Sequence, residues 1–305
     1  MLGVAIGDAL GVPYEFKTRL QMKQKSATEM VGFGTYNQQP GTFSDDASLT
    51  FCLAETMTHS FDLQKIATNF LKWYDQGYWT AHGDVFDIGI QTQKAFFNIE
   101  NGVAPELCGG IDERSNGNGS LMRILPLVFY NFKKTKEERF VNTELVSAIT
   151  HRHIRSVIAC FYYLEFANYL LYSIDKFEIY NLLQKEIPDF LRLKGVEESE
   201  INKYDRIFDQ SIYTFDEDTI QSSGYVVASL EASIWCLLTS NTYQEAVLKA
   251  VNLGGDTDTI AAITGGLAAL LYGYETIPEK WLNTIAKKDE IIDLGERLSI
   301  HFQLD

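Results

Sequence analysis

Two short acidic segments hold the side chains of this chain that are best suited to chemistry. They are Phe43–Asp46 and Gly254–Thr259, and each directly precedes an apolar run with helical spacing. Carboxylates and hydroxyls are hard oxygen ligands, which suit magnesium, manganese or calcium better than zinc or copper. The candidate ligands in the two segments are Ser44, Asp45, Asp46, Asp256, Asp258 and Thr259.

These carboxylates pose an electrostatic problem if the fold brings the two segments together. The four negative charges are costly to bury at one place unless they bind protons or cations. Two divalent cations carry a matching charge, so the pair of segments predicts a two-metal centre. Each segment taken alone also fits a capped helix start, where carboxylates favour the positive end of the helix dipole.

A carboxylate and a glycine repeat lie near the start of the chain. Gly3, Gly7 and Gly11 recur every fourth residue in an apolar segment, a spacing that predicts close approach of another backbone or of a ligand. Asp8 lies within the apolar face and needs a partner if it is buried. Glu15 follows the segment as a lone carboxylate, which on its own indicates no more than a surface residue.

A glycine-containing loop and a histidine are further candidates for ligand binding. The loop Asn118–Met122 leads into an apolar run, and its backbone N–H groups, with Arg123 nearby, could bind phosphate oxygens. His151 and His153 stand just before the next helical run. Such a histidine suits a hydrogen bond to a ligand or a helix cap better than a metal, because no thiolate and no histidine beyond this pair supports a metal site.

Helical periodicity dominates the elements that must position these residues, and no run shows convincing strand alternation. The sequence therefore predicts an all-α fold: a single orthogonal helical bundle over residues 1–305, with a binuclear metal centre between helix N-termini. The polar stretch Lys185–Asp218 is expected to be an exposed helical excursion or a long loop. The clearest helical runs are Leu63–Tyr74, Ile88–Ile99, Ile154–Ile174, Val226–Leu238 and Tyr243–Val251.

Composition excludes several classes of function. The net charge of −15 argues against nucleic acid as a partner, because phosphate contacts need clustered Lys and Arg, and it argues against an anionic membrane surface. The four cysteines lack the short paired spacing of zinc knuckles. Neither a signal peptide nor a membrane span is apparent. We expect a cytoplasmic, monomeric protein.

Six segments, in this order along the chain, resemble motifs of the ADP-ribosylglycohydrolase family, whose fold is all-helical. They are GVAIGDALGVPYEF, GTFSDDASLTFCLAE, NGNGSLMRILPL, ITHRH, SGYVVASLEA and AVNLGGDTDTIAAITGGLAALLYG. The resemblance implies that two Mg²⁺ or Mn²⁺ ions bind at the six candidate ligands. It also implies a catalytic role for Glu15. By the same resemblance, an ADP-ribose site is lined by Asn118, Gly119, Ser120, Met122, His151 and Tyr225.

The expected activity is metal-dependent hydrolysis of the N-glycosidic bond between ADP-ribose and an acceptor, with protein arginine as the expected acceptor. Glu15, Asp45 or Asp46 could take the proton of the attacking water, and the sequence does not decide among them. The substrate is expected to be an ADP-ribosylated protein or small molecule. The rim loops Tyr78–Gly83 and Cys108–Arg114 are expected to set its specificity. The alternatives are a metal-dependent nucleotide phosphohydrolase and a non-catalytic, crystallin-like or binding member of the family.

Overall fold

The computed structural model describes residues 1–303, which fold into α-helices joined by loops and 3₁₀ turns. These residues contain no β-strand and only two isolated bridges, so the predicted all-α fold is confirmed. The helices are α1 Leu2–Gly11, α2 Arg19–Gln24, α3 Asp45–Met57, α4 Leu63–Gln76, α5 Ile90–Glu100, α6 Leu127–Asn131, α7 Lys136–Ala148, α8 Ile154–Leu171, α9 Lys176–Leu193, α10 Glu198–Ile201, α11 Asp205–Phe208, α12 Val226–Leu238, α13 Tyr243–Asn252, α14 Thr257–Tyr272, α15 Glu279–Thr284 and α16 Lys288–Phe302.

Helix α1 packs against α14 through the glycine repeat. A Cβ atom at Gly7 would lie 2.1 Å from the carbonyl oxygen of Ala261, and one at Gly11 would lie 2.3 Å from the Cα atom of Asp258. The two backbones therefore touch along α1, and the predicted close approach is confirmed. The contact places the end of α1, with the chain that leads to Glu15, beside the start of α14.

Both acidic segments start helices, as their sequences predict. Helix α3 begins at Asp45 with Ser44 as its N-cap. Helix α14 begins at Thr257 with Asp256 as its N-cap, three residues earlier than the smooth apolar run from Ile260 indicates. The two carboxylate segments are therefore fixed to the first turns of two packed helices.

The polar stretch 185–218 is more ordered and more buried than its composition indicates. It contains the end of α9, the short helices α10 and α11, and 3₁₀ turns. Tyr204, Ile207 and Phe208 are buried there against the bundle. These apolar residues belong to helices of only four residues or to 3₁₀ turns, so they show no sustained helical periodicity. The charged residues around them therefore dominate the sequence pattern.

Two further features of the described residues bear on the sequence-based expectations. All four cysteines are free and buried, in agreement with inert thiols. Within residues 1–303, no helix combines the length and apolarity needed to cross a bilayer.

The contact between α1 and α14 is tested by adding one methyl group. We expect Gly7→Ala to lower the free energy of unfolding by about 1–3 kcal/mol or more, because the new Cβ atom meets backbone that cannot move aside. Gly295→Ala is the matched control: its Cβ atom meets nothing within 4 Å, and α16 should gain up to about 1 kcal/mol. Denaturant unfolding measures both changes, and equal stability of the two variants would contradict the proposed packing.

Candidate metal centre and substrate cleft

The floor of the site is built where α1 meets the first turn of α3. Asp8 accepts hydrogen bonds from the backbone N–H groups of Ser44 (2.9 Å) and Ala47 (2.9 Å). Its carboxylate thus caps α3 from a neighbouring helix and satisfies N–H groups that a helix start leaves free. The partner that the sequence requires for a buried Asp8 is the start of α3, and this contact fixes the orientation of Asp45 and Asp46.

Asp46 joins the two acidic segments. Its Oδ2 atom accepts hydrogen bonds from the hydroxyls of Ser44 (3.1 Å) and Thr259 (3.3 Å). On the side of α14, Asp258 Oδ1 accepts a hydrogen bond from the N–H of Thr259 (3.0 Å). The fold therefore brings together the two segments that lie more than two hundred residues apart in the sequence.

Two groups of three carboxylates lie close enough to hold a metal ion. In each group one oxygen from every residue lies within 4.8 Å of the others. One group is Asp8, Asp46 and Asp258, and the other is Glu15, Asp87 and the same Asp258. Asp258 thus stands between two candidate cation positions.

Asp45 and Asp256 belong to neither of these groups. Both line the cleft above them, together with Glu15, Asp87 and Thr259. The structure therefore places all six sequence-predicted ligands in or around one site, with Asp45 and Asp256 on the wall and Asp46 and Asp258 in the floor.

Asp87 is the residue that reasoning from the sequence missed. It lies in the loop before α5, has a φ of 65°, and accepts a hydrogen bond from the hydroxyl of Tyr36. A signal for it exists in the sequence, since Asp87 and Gly89 directly precede the helical run of α5. The other two acidic segments show the same arrangement. A single aspartate with no second carboxylate beside it did not stand out.

Mutual repulsion and burial shift the protonation of these groups. Burial, together with the charge of Asp87, raises the pKa of Glu15 to about 8. Burial also raises the pKa of Asp8 to about 7, although its backbone hydrogen bonds oppose the shift. Burial and neighbouring carboxylates raise the pKa values of Asp46 and Asp258 well above the usual range. Without cations, the site therefore keeps protons at neutral pH.

The residues present fit a divalent cation. Asp46 Oδ1, Asp258 Oδ2 and Glu15 Oε2 are buried oxygens without a hydrogen-bond partner in the structure. Unpartnered buried carboxylate oxygens are costly, and a hard cation is the partner that satisfies several of them at once. The described acidic clusters can therefore bind metal.

The opposite wall of the cleft comes from the glycine-containing loop and from α5. The N–H of Asn118 donates to the carbonyl of Gly224 (3.1 Å), and its side-chain amide donates to Asp256 Oδ2 (2.8 Å). The cleft has a volume of about 330 Å³ and also contacts Gly117, Gly119 and Met122. The loop is thus tied directly to the second acidic segment.

Arg114 gives one part of the cleft a positive charge, in contrast to the carboxylates in the other part. It is the one Lys or Arg among the described residues that line the cleft, and its side chain is exposed. The first residues of α5, Ile90 and Gln91, line the cleft near it, and Gly89 caps this helix without a side-chain hydrogen bond. One part of the cleft therefore carries carboxylates, and another carries a cation and a helix N-terminus, which favour anions.

His151 lines the cleft and Arg123 holds it there. Thr150 Oγ1 accepts a hydrogen bond from Arg123 Nη2 (2.7 Å) and lies 2.9 Å from His151 Nδ1. Because Thr150 Oγ1 accepts from Arg123, its own hydroxyl proton can be donated to His151 Nδ1. This favours the histidine tautomer with the proton on Nε2, and that nitrogen is then a hydrogen-bond donor toward the cleft. Burial lowers the pKa of His151 to about 3, so the ring is neutral.

Three residues lie elsewhere than the sequence indicates. Arg123 is fully buried over the ring of Phe70, so it supports the loop from below and does not reach the cleft. Ser120 turns its hydroxyl to that of Ser147 (2.9 Å) in the core. Tyr225 is half-buried beside Arg155, outside the cleft lining.

One of the two expected rim loops also lies elsewhere. Tyr78 and Trp79 line a separate surface cavity with Lys287 and Arg297 from the C-terminal part of the chain. The second loop contributes Arg114 to the cleft.

Comparisons with known proteins agree with this architecture. A sequence profile described as ADP-ribosylglycohydrolase matches residues 1–305. The chain is 30% identical over 301 residues to the ADP-ribosylarginine hydrolase Tri1 of Serratia proteamaculans (strain 568), which covers 98% of this chain and 77% of that protein. It is 25% identical over 294 residues to the ADP-ribosyl-dinitrogen reductase glycohydrolase of Rhodospirillum rubrum, covering 95% of this chain and 90% of the relative.

A solved structure shows the same fold. A chain described as an ADP-ribosylglycohydrolase-related protein complex aligns with a TM-score of 0.82 at 26% identity, covering 99% of this chain and 95% of that one.

The carboxylate site generates a prediction about pH and cations. The folded-state pKa values of Glu15 and Asp8 lie above their ordinary values. The metal-free folded protein therefore binds more protons than the unfolded chain between about pH 4 and pH 8. We expect its free energy of unfolding to fall as pH rises through this window. Saturating Mg²⁺ or Mn²⁺ should restore it most strongly at high pH, by about 2.7 kcal/mol at a hundred times Kd.

Asp258→Asn separates this electrostatic account from a general salt effect. It removes the carboxylate common to both groups, so the variant should show a flatter pH profile and little stabilisation by the cation. Asp84→Asn, at an exposed aspartate near Asp87, is the control and should behave as the unmodified chain does. Thermal unfolding with chelator or with cation measures both. An equal cation effect in Asp258→Asn would refute the assignment.

Proposed function

This chain belongs to the ADP-ribosylglycohydrolase family, hydrolases of glycosyl bonds, and we propose that it removes ADP-ribose from ADP-ribosylated arginine in a metal-dependent reaction. The proposal rests on the separation of charge within one cleft. Carboxylates able to hold cations lie in one part of it, and Arg114 with the start of α5 lies in another. ADP-ribose needs both, because its diphosphate is anionic and its ribose hydroxyls can bind hard cations. Similarity to two proteins named ADP-ribosylarginine hydrolase supports arginine as the acceptor.

We propose two Mg²⁺ or Mn²⁺ ions, held by Ser44, Asp45, Asp46, Asp256, Asp258 and Thr259, with Glu15 and Asp87 beside them. When bound, such ions orient the ribose hydroxyls and neutralise the carboxylates. The loop Asn118–Gly119, Met122 and His151 line the ADP-ribose site, with the Nε2–H of His151 directed at a ligand oxygen. Ser120 and Tyr225 support this loop from outside the cleft lining, Ser120 through the hydroxyl of Ser147 and Tyr225 through a backbone bridge to Gly117.

Glu15 and Asp87 are the carboxylates best placed for proton transfer. Burial raises the pKa of Asp87, which makes it a stronger base toward water, and the hydrogen bond from the Tyr36 hydroxyl opposes part of this shift. Glu15 lines the cleft together with Asp87 and, in its protonated form, can supply the proton that the departing guanidine needs. Asp46 is a poorer base, because it lies in the floor and two hydroxyls donate to its Oδ2.

Turnover of ADP-ribosyl-arginine tests the reaction. With Mg²⁺ we expect release of intact ADP-ribose and arginine. Asp87→Asn should lower kcat by about 10²–10⁴-fold, the range of general acid–base catalysis. Asp84→Asn should retain kcat, since its side chain is exposed outside the cleft.

Product analysis by chromatography distinguishes the alternatives. Release of AMP and ribose phosphate would indicate a phosphohydrolase instead. Binding without turnover would indicate a non-catalytic member of the family.

Binding of ADP-ribose tests the anion end of the cleft separately. We expect Arg114→Ala to raise the Kd for ADP-ribose by about 10–100-fold, because it removes a charge-assisted hydrogen bond to an anion. Lys94→Ala is the matched control, since Lys94 is exposed on the same helix as Gln91 but does not line the cleft. Titration calorimetry in Mg²⁺ measures both Kd values. Equal effects of the two variants would show that only net charge matters.

A further inference from the structure

A second concavity, here called the lateral groove, opens beside the cleft. It has a volume of about 810 Å³, and its walls include Phe16, Thr18, Gln221 and Ser223. The groove and the cleft share Gly224 and Asp256. A molecule bound in the cleft can therefore continue into the groove past the second acidic segment.

The lateral groove is held in shape by one arginine. Arg19 donates to the carbonyl oxygens of Leu253 (3.0 Å), Ile220 (2.6 Å) and Glu217, and to the hydroxyl of Ser222 (3.3 Å). These contacts attach the loop 217–222 to the turn before α14. Because the guanidinium binds neutral oxygens of the wall, its role is to keep the groove preformed.

Backbone hydrogen bonds join the groove to the catalytic carboxylates. The N–H of Phe16 donates to Gly255 O (2.7 Å), that of Gly255 to Lys17 O (2.8 Å), and that of Asp256 to Ser222 O (2.9 Å). A Cβ atom at Gly255 would lie 2.1 Å from Ser222 O, so only glycine allows this approach. The groove wall and the metal site are therefore one rigid unit.

Phe16 is the feature that points to an occupant. It directly follows Glu15, its φ is 63°, and 68% of it is exposed although it lines the groove. A bulky residue in the left-handed region is strained, and strain of this kind collects at functional sites. An exposed aromatic ring beside the reacting groups is a ready contact for a partner molecule.

We propose that the lateral groove binds the polypeptide around the modified residue of the substrate, with Phe16 as its main contact. This inference rests on the proposed function. Hydrolysis separates ADP-ribose from its acceptor at the carboxylates, and the Arg114 end of the cleft takes the diphosphate. The acceptor then leaves the cleft at the carboxylates, and the lateral groove meets the cleft there, at Gly224 and Asp256.

The test compares two substrates with the same bond: free ADP-ribosyl-arginine and a peptide ADP-ribosylated on arginine. The readout is the ratio of kcat/KM for the peptide to kcat/KM for the small substrate, with ADP-ribose release measured for both. We expect Phe16→Asn to lower this ratio about tenfold, the effect of losing one aromatic contact. Asparagine tolerates positive φ, so the backbone strain is not increased.

A second variant and a control complete the test. Ser223→Trp places a large ring in the groove at an exposed position and should lower the ratio as well. Phe97→Ala removes an equally exposed phenylalanine (65%) that lines neither cavity, and it should leave the ratio unchanged. If Phe16→Asn and Ser223→Trp both leave the ratio unchanged, the lateral groove is not the acceptor site. If the unmodified chain releases ADP-ribose from neither substrate, the proposed function itself is wrong.

Discussion

Repulsion among buried carboxylates is the interaction on which the rest of this structure depends. Asp8, Asp46 and Asp258 approach within 4.8 Å at the junction of three helices, all three fully buried. The fold offsets part of the cost with what helix starts offer, namely free N–H groups and the positive end of the dipole. Asp8 takes two N–H groups of α3, and Asp258 takes one of α14. The offset is incomplete, and the unpartnered oxygens are what suit the site to a cation.

The glycine contact between α1 and α14 is what brings these carboxylates close to each other. Ordinary side chains would hold the two helices about 8–10 Å apart between axes. Gly3, Gly7 and Gly11 remove the side chains that would intervene. Packing and electrostatics therefore oppose each other here, because the close backbone contact between α1 and α14 also brings like charges together.

The all-α fold, the acidic helix starts and the close approach of α1 could be predicted from the sequence, because their signals are local. The acidic helix starts and the glycine repeat each need only a few adjacent residues to be recognised. Asp87 has only a weak local signal, a single aspartate before a helical run, and its significance depends on Tyr36 and Glu15, which approach it only in the fold. The position of Arg123 was equally hidden: a lone arginine after a glycine-containing loop indicates a phosphate ligand, but the core takes it up against an aromatic ring.

Part of the backbone strain lies near these carboxylates. Of the eight non-glycine residues with positive φ in the described part of the chain, Phe16, Phe33, Asn37 and Asp87 lie in the loops before and after α2 and before α5. Such conformations cost about 1–3 kcal/mol each and persist only when the surrounding structure dictates them. The packed helices below supply that constraint, since the hydrogen bonds from Phe16 and Gly255 tie one strained loop to the start of α14. Cation binding lowers the repulsion but leaves the strain in place. The stability of α1 against α14 must therefore support the site in both its metal-free and its metal-bound state, which links the integrity of the core directly to the geometry of the cleft.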